Sequence, residues 1–130
     1  YSPIGRGFLT GQIKSPEDIP EDDFRRSIPR FQGENFNANM KLVKQLEQLA
    51  DKKKCMPAQL AIGWLIALSK RPDMPTIIPI PGATTAERVK ENAAPVELDD
   101  QEMKEIDDIL ASFETKGDRY NAQGMHHTNG

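Results

Sequence analysis

With 130 residues, 37% of them hydrophobic, and a mean hydropathy of −0.63, the chain has the length and polarity of one ordinary domain. A net charge of −3 and a pI near 5.4 leave no basic footprint for nucleic acid, and no apolar run approaches the ~20 residues of a membrane span. The single cysteine, Cys55, excludes an internal disulfide framework and leads us to expect a reducing, cytoplasmic setting.

The first residue is Tyr1, and turn chemistry follows at once in YSPIGRGFLTG; we read this as a piece of a longer protein. Residues 1 to 37 are rich in glycine, proline and charge, and KSPEDIPEDDFRRSIPRFQG is expected to form a long surface loop. Helical periodicity begins near Asn37, where Leu42, Val43, Leu46, Leu49 and Ala50 share one face. The DKKKC run reads as a solvated helix end. A second helix is expected from Pro57, whose missing N–H suits a first turn, with Leu60, Ala61, Trp64, Leu65 and Leu68 as its apolar face. Met56 before it is a poor N-cap. TIIPIP reads as a short buried strand whose prolines lie at a frayed end. Thr84 with Glu87 reads as a capping box opening a helix to about Asn92. Asp99 with Glu102 reads as a second box, with Met103, Ile106, Leu110 and Phe113 as the buried stripe behind it. Beyond Phe113 the polar tail ETKGDRYNAQGMHHTNG is expected to be either mobile or folded over a site. One clear strand cannot satisfy its own edges, and apolar helix faces need a sheet to lie on. Further strands are therefore expected before Tyr1.

The chemistry concentrates in IPIPGATTAERVKEN. An apolar run ending in Pro-Gly opens onto a helix start, where unpaired N–H groups and the helix dipole favour an anion. Gly82 permits close approach of a ligand, and Ala83, Thr84 and Thr85 present N–H groups and hydroxyls. Arg88, four residues beyond Thr84, faces the same side and is able to grip a phosphate through paired hydrogen bonds. Glu91 and Asn92 continue that face and have the donors and acceptors to meet an adenine edge. The residues alone leave a second reading open. Thr84 and Glu87 then simply cap the helix, and Arg88 pairs with Glu87 or Glu91 on a solvated surface. Two adjacent histidines, His126 and His127, do not readily close a metal site, and neither they nor Tyr120 are read as catalytic.

YSPIGRGFLTG and IPIPGATTAERVKEN, in that order, closely resemble the C-terminal part of the aldo-keto reductases. RFQGENFNAN and KGDRY resemble its pyridoxal-reductase-like and auxin-induced-type branch. The resemblance implies an α/β fold, the C-terminal part of a (β/α)8 barrel, mostly helical in this piece. Tyr1 would end its strand seven and residues 77–80 would form strand eight. It also implies NADPH bound without a G-x-G-x-x-G segment; GRGFLTG has other spacing. Position by position, it places Tyr1 against the nicotinamide, and Ser2, Ile4, Gly5 and Arg6 along the pyrophosphate and ribose. Gly82, Ala83, Thr84 and Arg88 would hold the 2′-phosphate, and Glu91 and Asn92 the adenine, while Arg30 would reach the phosphates from the long loop. The sequence departs from many relatives at Gly82, where they carry lysine. The family's catalytic Asp, Tyr, Lys and His precede every residue here, so the resemblance gives this chain no catalytic residue and no activity by itself. The implied reaction of the whole protein is reduction of a small-molecule aldehyde or ketone. An NADPH-binding regulatory or sensor subunit, such as those associated with potassium channels, is the alternative from the same family.

Overall fold

The computed structural model describes residues 1–128. Among the described residues the α-helices are α1 (Gly33–Lys53), α2 (Pro57–Leu68), α3 (Ala86–Asn92), α4 (Asp100–Ala111) and α5 (Ala122–Met125). No strand forms among the described residues, which corrects the expectation at TIIPIP and at Tyr1. The reason is physical: a strand is defined by a partner ladder, and none lies beside residues 75–83. Of the N–H groups there, that of Ile77 donates to Ser69 Oγ at 2.8 Å, while three prolines have none to give. Ile78 and Ile80 consequently stand in solvent, 77% and 62% exposed, rather than buried.

The segment expected to be a surface loop is exposed or half-buried along most of its length, but it contributes Ile19, Ile28 and Phe31 to the core. Residues 1–32 wind through four 3-10 turns, at Gly5–Thr10, Pro16–Asp18, Phe24–Ser27 and Pro29–Phe31. The turns and the residues between them drop apolar side chains inward. Phe8, Ile13, Ile19, Ile28 and Phe31 pack with Phe36, Met40 and Val43 of α1. Phe8 meets Phe31 and Phe36 edge-on, with centroids 5.1 and 5.3 Å away, the geometry that aromatic quadrupoles favour. This contact explains why α1 starts at Gly33 rather than near Asn37: Phe36 is fully buried, so its turn is held by packing.

The expected face of α1 is otherwise confirmed. Leu46, Leu49 and Ala50 pack against Leu60 of α2 and Ile106 of α4, with Leu42 half-buried beside them. The lysine run is the helix end. Lys54 caps it in the left-handed region, Lys52 meets Glu105 at 2.9 Å and Lys53 meets Glu102 at 2.7 Å, tying α1 to α4. Helix α2 begins at Pro57 as expected, and Gln59 Oε1 accepts the Met56 N–H in place of a cap from Met56. Its burial is broader than one stripe. Ala58 and Ile62 pack with Ile4, and Gly63 lies so close to Val96 that an added Cβ would stand 2.4 Å from the Val96 carbonyl oxygen. Helix α4 opens on the expected box, with Glu102 N–H donating to Asp99 Oδ1 and Asp99 N–H to Glu102 Oε2. Met103 and Ile106 are its buried residues.

Candidate functional site

The turn after Tyr1 is wound against the usual preference of L-residues. Ser2 (φ 52°) and Arg6 (φ 57°) both sit in the left-handed region, where non-glycine residues are uncommon. Such backbone persists only where surrounding contacts fix it, and it concentrates at ligand sites. Here the contacts are the Gly5 N–H to Ser2 O at 3.0 Å, Gly7 N–H to Ile4 O at 3.1 Å, and the buried Ile4 and Phe8 anchors.

This turn faces the start of α3 across a groove of about 700 Å³. Tyr1, Ser2, Ile4 and Arg6 line one wall, and Gly82, Ala83, Thr84 and Arg88 the other. Two segments some eighty residues apart in sequence therefore meet in one groove. The walls are joined by Gln12, whose Oε1 accepts from the Arg88 guanidinium. Gly5 lies behind the turn, and Glu91 and Asn92 fall outside the groove lining. Asn92 instead donates to the Gly82 carbonyl at 3.2 Å, fixing the loop that carries the groove wall.

The Thr84–Glu87 capping box does not form at α3, and the cap lies one residue on. Thr85, not Thr84, is the N-cap, and its hydroxyl accepts the Arg88 N–H at 3.3 Å. Thr84 itself lines the groove. The surface-pair reading of Arg88 also fails: among the described residues it makes no ion pair with Glu87 or Glu91, and its partner is the neutral Gln12. No carboxylate among the described residues forms an ion pair with it. An added Cβ at Gly82 meets nothing within 4 Å, so the wall there is open to a ligand.

Several groove residues carry no sequence signal of their own. Gln12, Thr10 and Ile13 come from the irregular N-terminal segment. Arg25 reaches the groove from the turn at Phe24–Ser27, donating to Arg6 O at 3.2 Å while paired to Asp23 at 2.7 Å. The Arg25 side chain and backbone N–H hold the Asp23 carboxyl down to about 2. The D-x-R spacing was the only hint of that pair.

The tail folds back over the N-terminal turns. Asn39 exchanges two hydrogen bonds with Lys116, at 2.8 and 2.9 Å, and Arg30 Nε donates to Gly117 O at 3.1 Å. Gly117 has φ 84°, and an added Cβ would stand 2.8 Å from the Pro29 carbonyl carbon, so glycine is what allows this docking. Arg119 lies over the Tyr1 ring at 4.9 Å and donates to its hydroxyl at 2.9 Å, which lowers the phenol's pKa. Arg6 stacks on Tyr120 at 4.2 Å. His126 and His127 are exposed, and Asn129 and Gly130 lie outside the described residues. Arg30 lines not the groove but a separate cavity under the tail.

Comparison with known proteins bears on this arrangement. The chain is 44% identical over 122 residues to "Aldo-keto reductase yakc [NADP(+)]" of Schizosaccharomyces pombe, covering 92% of this chain and 34% of the relative. It is 44% identical over 129 residues to a protein of Saccharomyces cerevisiae named as a candidate pyridoxal reductase, covering 92% of this chain and 37% of the relative. Against an aldo-keto reductase of Gibberella moniliformis it is 37% identical over 129 residues, 96% of this chain and 37% of the relative. The chain thus spans about a third of the length of these curated relatives. No solved structure matches it. The model of the Aldo/keto reductase family matches residues 1–111, both walls of the groove included, and the chain belongs to that family.

Proposed function

We propose that the groove between the Tyr1–Arg6 turn and the Gly82–Arg88 loop is the NADPH-binding corner of a carbonyl reductase. The whole protein, on this reading, is a (β/α)8 barrel that reduces aldehydes or ketones to alcohols. The observation that carries it is the meeting of the two segments around Arg88, which has no ion-pair partner among the described residues. The family supports it, as does the name of the Schizosaccharomyces relative, which specifies NADP(+).

The donor set fits the group. Helix α3 has only seven residues, so its dipole is weak and the guanidinium supplies most of the attraction for a 2′-phosphate. Thr84 adds a hydroxyl, the open Gly82 wall adds room, and Gln12 holds the guanidinium in place until it is exchanged for the phosphate. Arg6, Ser2 and Ile4 would line the pyrophosphate and ribose on the opposite wall, with Gly5 shaping the turn behind them and Arg25 bracing the Arg6 carbonyl. Tyr1 offers a ring face for stacking on the nicotinamide, oriented by the Arg119 hydrogen bond. Asn92 acts through Gly82 rather than by touching the adenine, which leaves Glu91 for that edge. When bound, NADPH would supply the hydride for carbonyl reduction. This chain's residues bind and orient it, and none is assigned the proton transfer.

Replacing Arg88 with alanine in the full-length protein tests the assignment. A charge-assisted hydrogen bond is worth about 1.5–3 kcal/mol. NADPH affinity is expected to fall about tenfold to a hundredfold in a fluorescence titration, with NADH affinity nearly unchanged. Equal weakening of both nucleotides would remove the 2′-phosphate role.

A further inference from the structure

The cavity under the tail measures about 160 Å³ and shares only Ser2 and Arg6 with the groove. Three guanidiniums line it: Arg6, Arg30 and Arg119. None of them forms an ion pair with a carboxylate among the described residues. Their hydrogen-bond partners are neutral. Arg6 donates to Arg119 O at 3.0 Å, Arg30 to Gly117 O at 3.1 Å, and Arg119 to the Tyr1 hydroxyl at 2.9 Å. Burial, with repulsion from Arg119 and Arg6 partly offset by Asp118, pulls the Arg30 guanidinium below its ordinary range. Arg6 and Arg30 are half-buried and Arg119 is exposed, and gathering three like charges at one cavity is unfavourable unless something negative neutralises them. Phe8, Phe31 and Phe113, with two leucines, form its apolar side, and Ser2, Asn39 and Thr115 add neutral polar groups.

We propose that this cavity binds a small organic carboxylate, its anionic end among Arg6, Arg30 and Arg119 and a ring-sized apolar body against the three phenylalanines. The size agrees, since a cavity of roughly 150 Å³ accepts a benzene ring. A planar carboxylate matches the guanidinium fork, and the aromatic floor takes the ring. The tail makes the site: Phe113 and Arg119 reach it only because Lys116 and Gly117 are docked on Asn39 and Arg30. The proposal stands without the dinucleotide reading, because Arg30, Arg119 and the phenylalanines lie outside the groove.

Benzoate and the uncharged benzamide are the probes, titrated calorimetrically into the full-length protein in low-chloride buffer without nucleotide. Benzoate is expected to bind at least tenfold more tightly than benzamide. Arg30→Gln and, separately, Arg119→Gln should each weaken benzoate about tenfold and leave benzamide unchanged; the tail variant carries the test should the first not fold. Arg88→Ala should leave benzoate binding intact even where it abolishes NADPH binding. Equal affinity for the two probes, or no binding of benzoate, overturns the proposal. So does one-for-one displacement of benzoate by adenosine 2′,5′-bisphosphate, which would put the anion in the groove.

Discussion

Residues 1–32 and residues 75–92 exchange the roles that their sequences suggest. The first segment has isoleucines and phenylalanines scattered at no regular period, yet Ile19 and Ile28 are 1% and 0% exposed. The second has a compact β-branched run, yet Ile78 and Ile80 stand in water. The residue type is the same, so composition does not decide. What decides is whether a partner surface exists: the 3-10 turns lay their apolar side chains on α1, whereas the TIIPIP run has no ladder beside it. Burial is a property of pairs of segments.

The sharpest way to break this comparison is to shorten one isoleucine in each segment. Ile28→Ala removes a fully enclosed side chain and should cost about 2–5 kcal/mol, the range for large-to-small changes in packed cores. Ile78→Ala removes a solvated one and should change stability by about 0.5 kcal/mol or less. Urea unfolding of this 130-residue chain reads both. Similar costs at the two positions would mean that residues 75–83 are packed in solution.

The same contrast sets what was legible beforehand. The Leu46, Leu49 and Ala50 face and the Asp99–Glu102 box follow from spacing within one element, and both stand where expected. The start of α1 was placed late because Phe36 is fixed by Phe8, a residue twenty-eight positions away with no period in common. Adjacent threonines offer two equivalent caps, and the chain uses Thr85. At the groove, the Gly82–Arg88 loop was visible as an anion clamp or a surface cap, and the family resemblance added Tyr1 to Arg6. Gln12 and Arg25 were not visible, since single polar residues in irregular backbone have no pattern until the turns are formed.

The tail extends the comparison, because it too is aperiodic and yet docked. Gly117→Ala adds a Cβ 2.8 Å from backbone of Pro29 at a residue with φ 84°. Strain and displacement together should cost about 1–3 kcal/mol, felt first as loss of the Lys116–Asn39 bonds. Hydrogen exchange at the Lys116 amide should accelerate accordingly. Gly82→Ala is the control from the exposed segment: nothing lies within 4 Å of the new methyl group, so global stability should hold. Equal protection of Lys116 in both variants would show that the tail does not depend on this contact.

The smallest expected effect belongs to the ion pair that braces the N-terminal turns. Asp23 titrates at about 2 in the folded chain against about 4 in an unfolded one, because Arg25 donates to it from side chain and backbone. A depressed carboxylate stabilises the fold fully above its unfolded pKa, and that contribution disappears as pH falls through the folded value. The pair is partly solvated, and screening limits it to about 1 kcal/mol or less. The stability difference between the natural chain and Asp23→Asn should therefore be constant above pH 5, shrink between pH 4 and 2, and be smallest below pH 2. Arg25 also donates to the Arg6 carbonyl, so the same acidification should loosen the groove wall before the core around Ile28 yields. A difference that grew on acidification would mean that Asp23 is not held ionised by Arg25, and the brace on Arg6 would have to come from elsewhere.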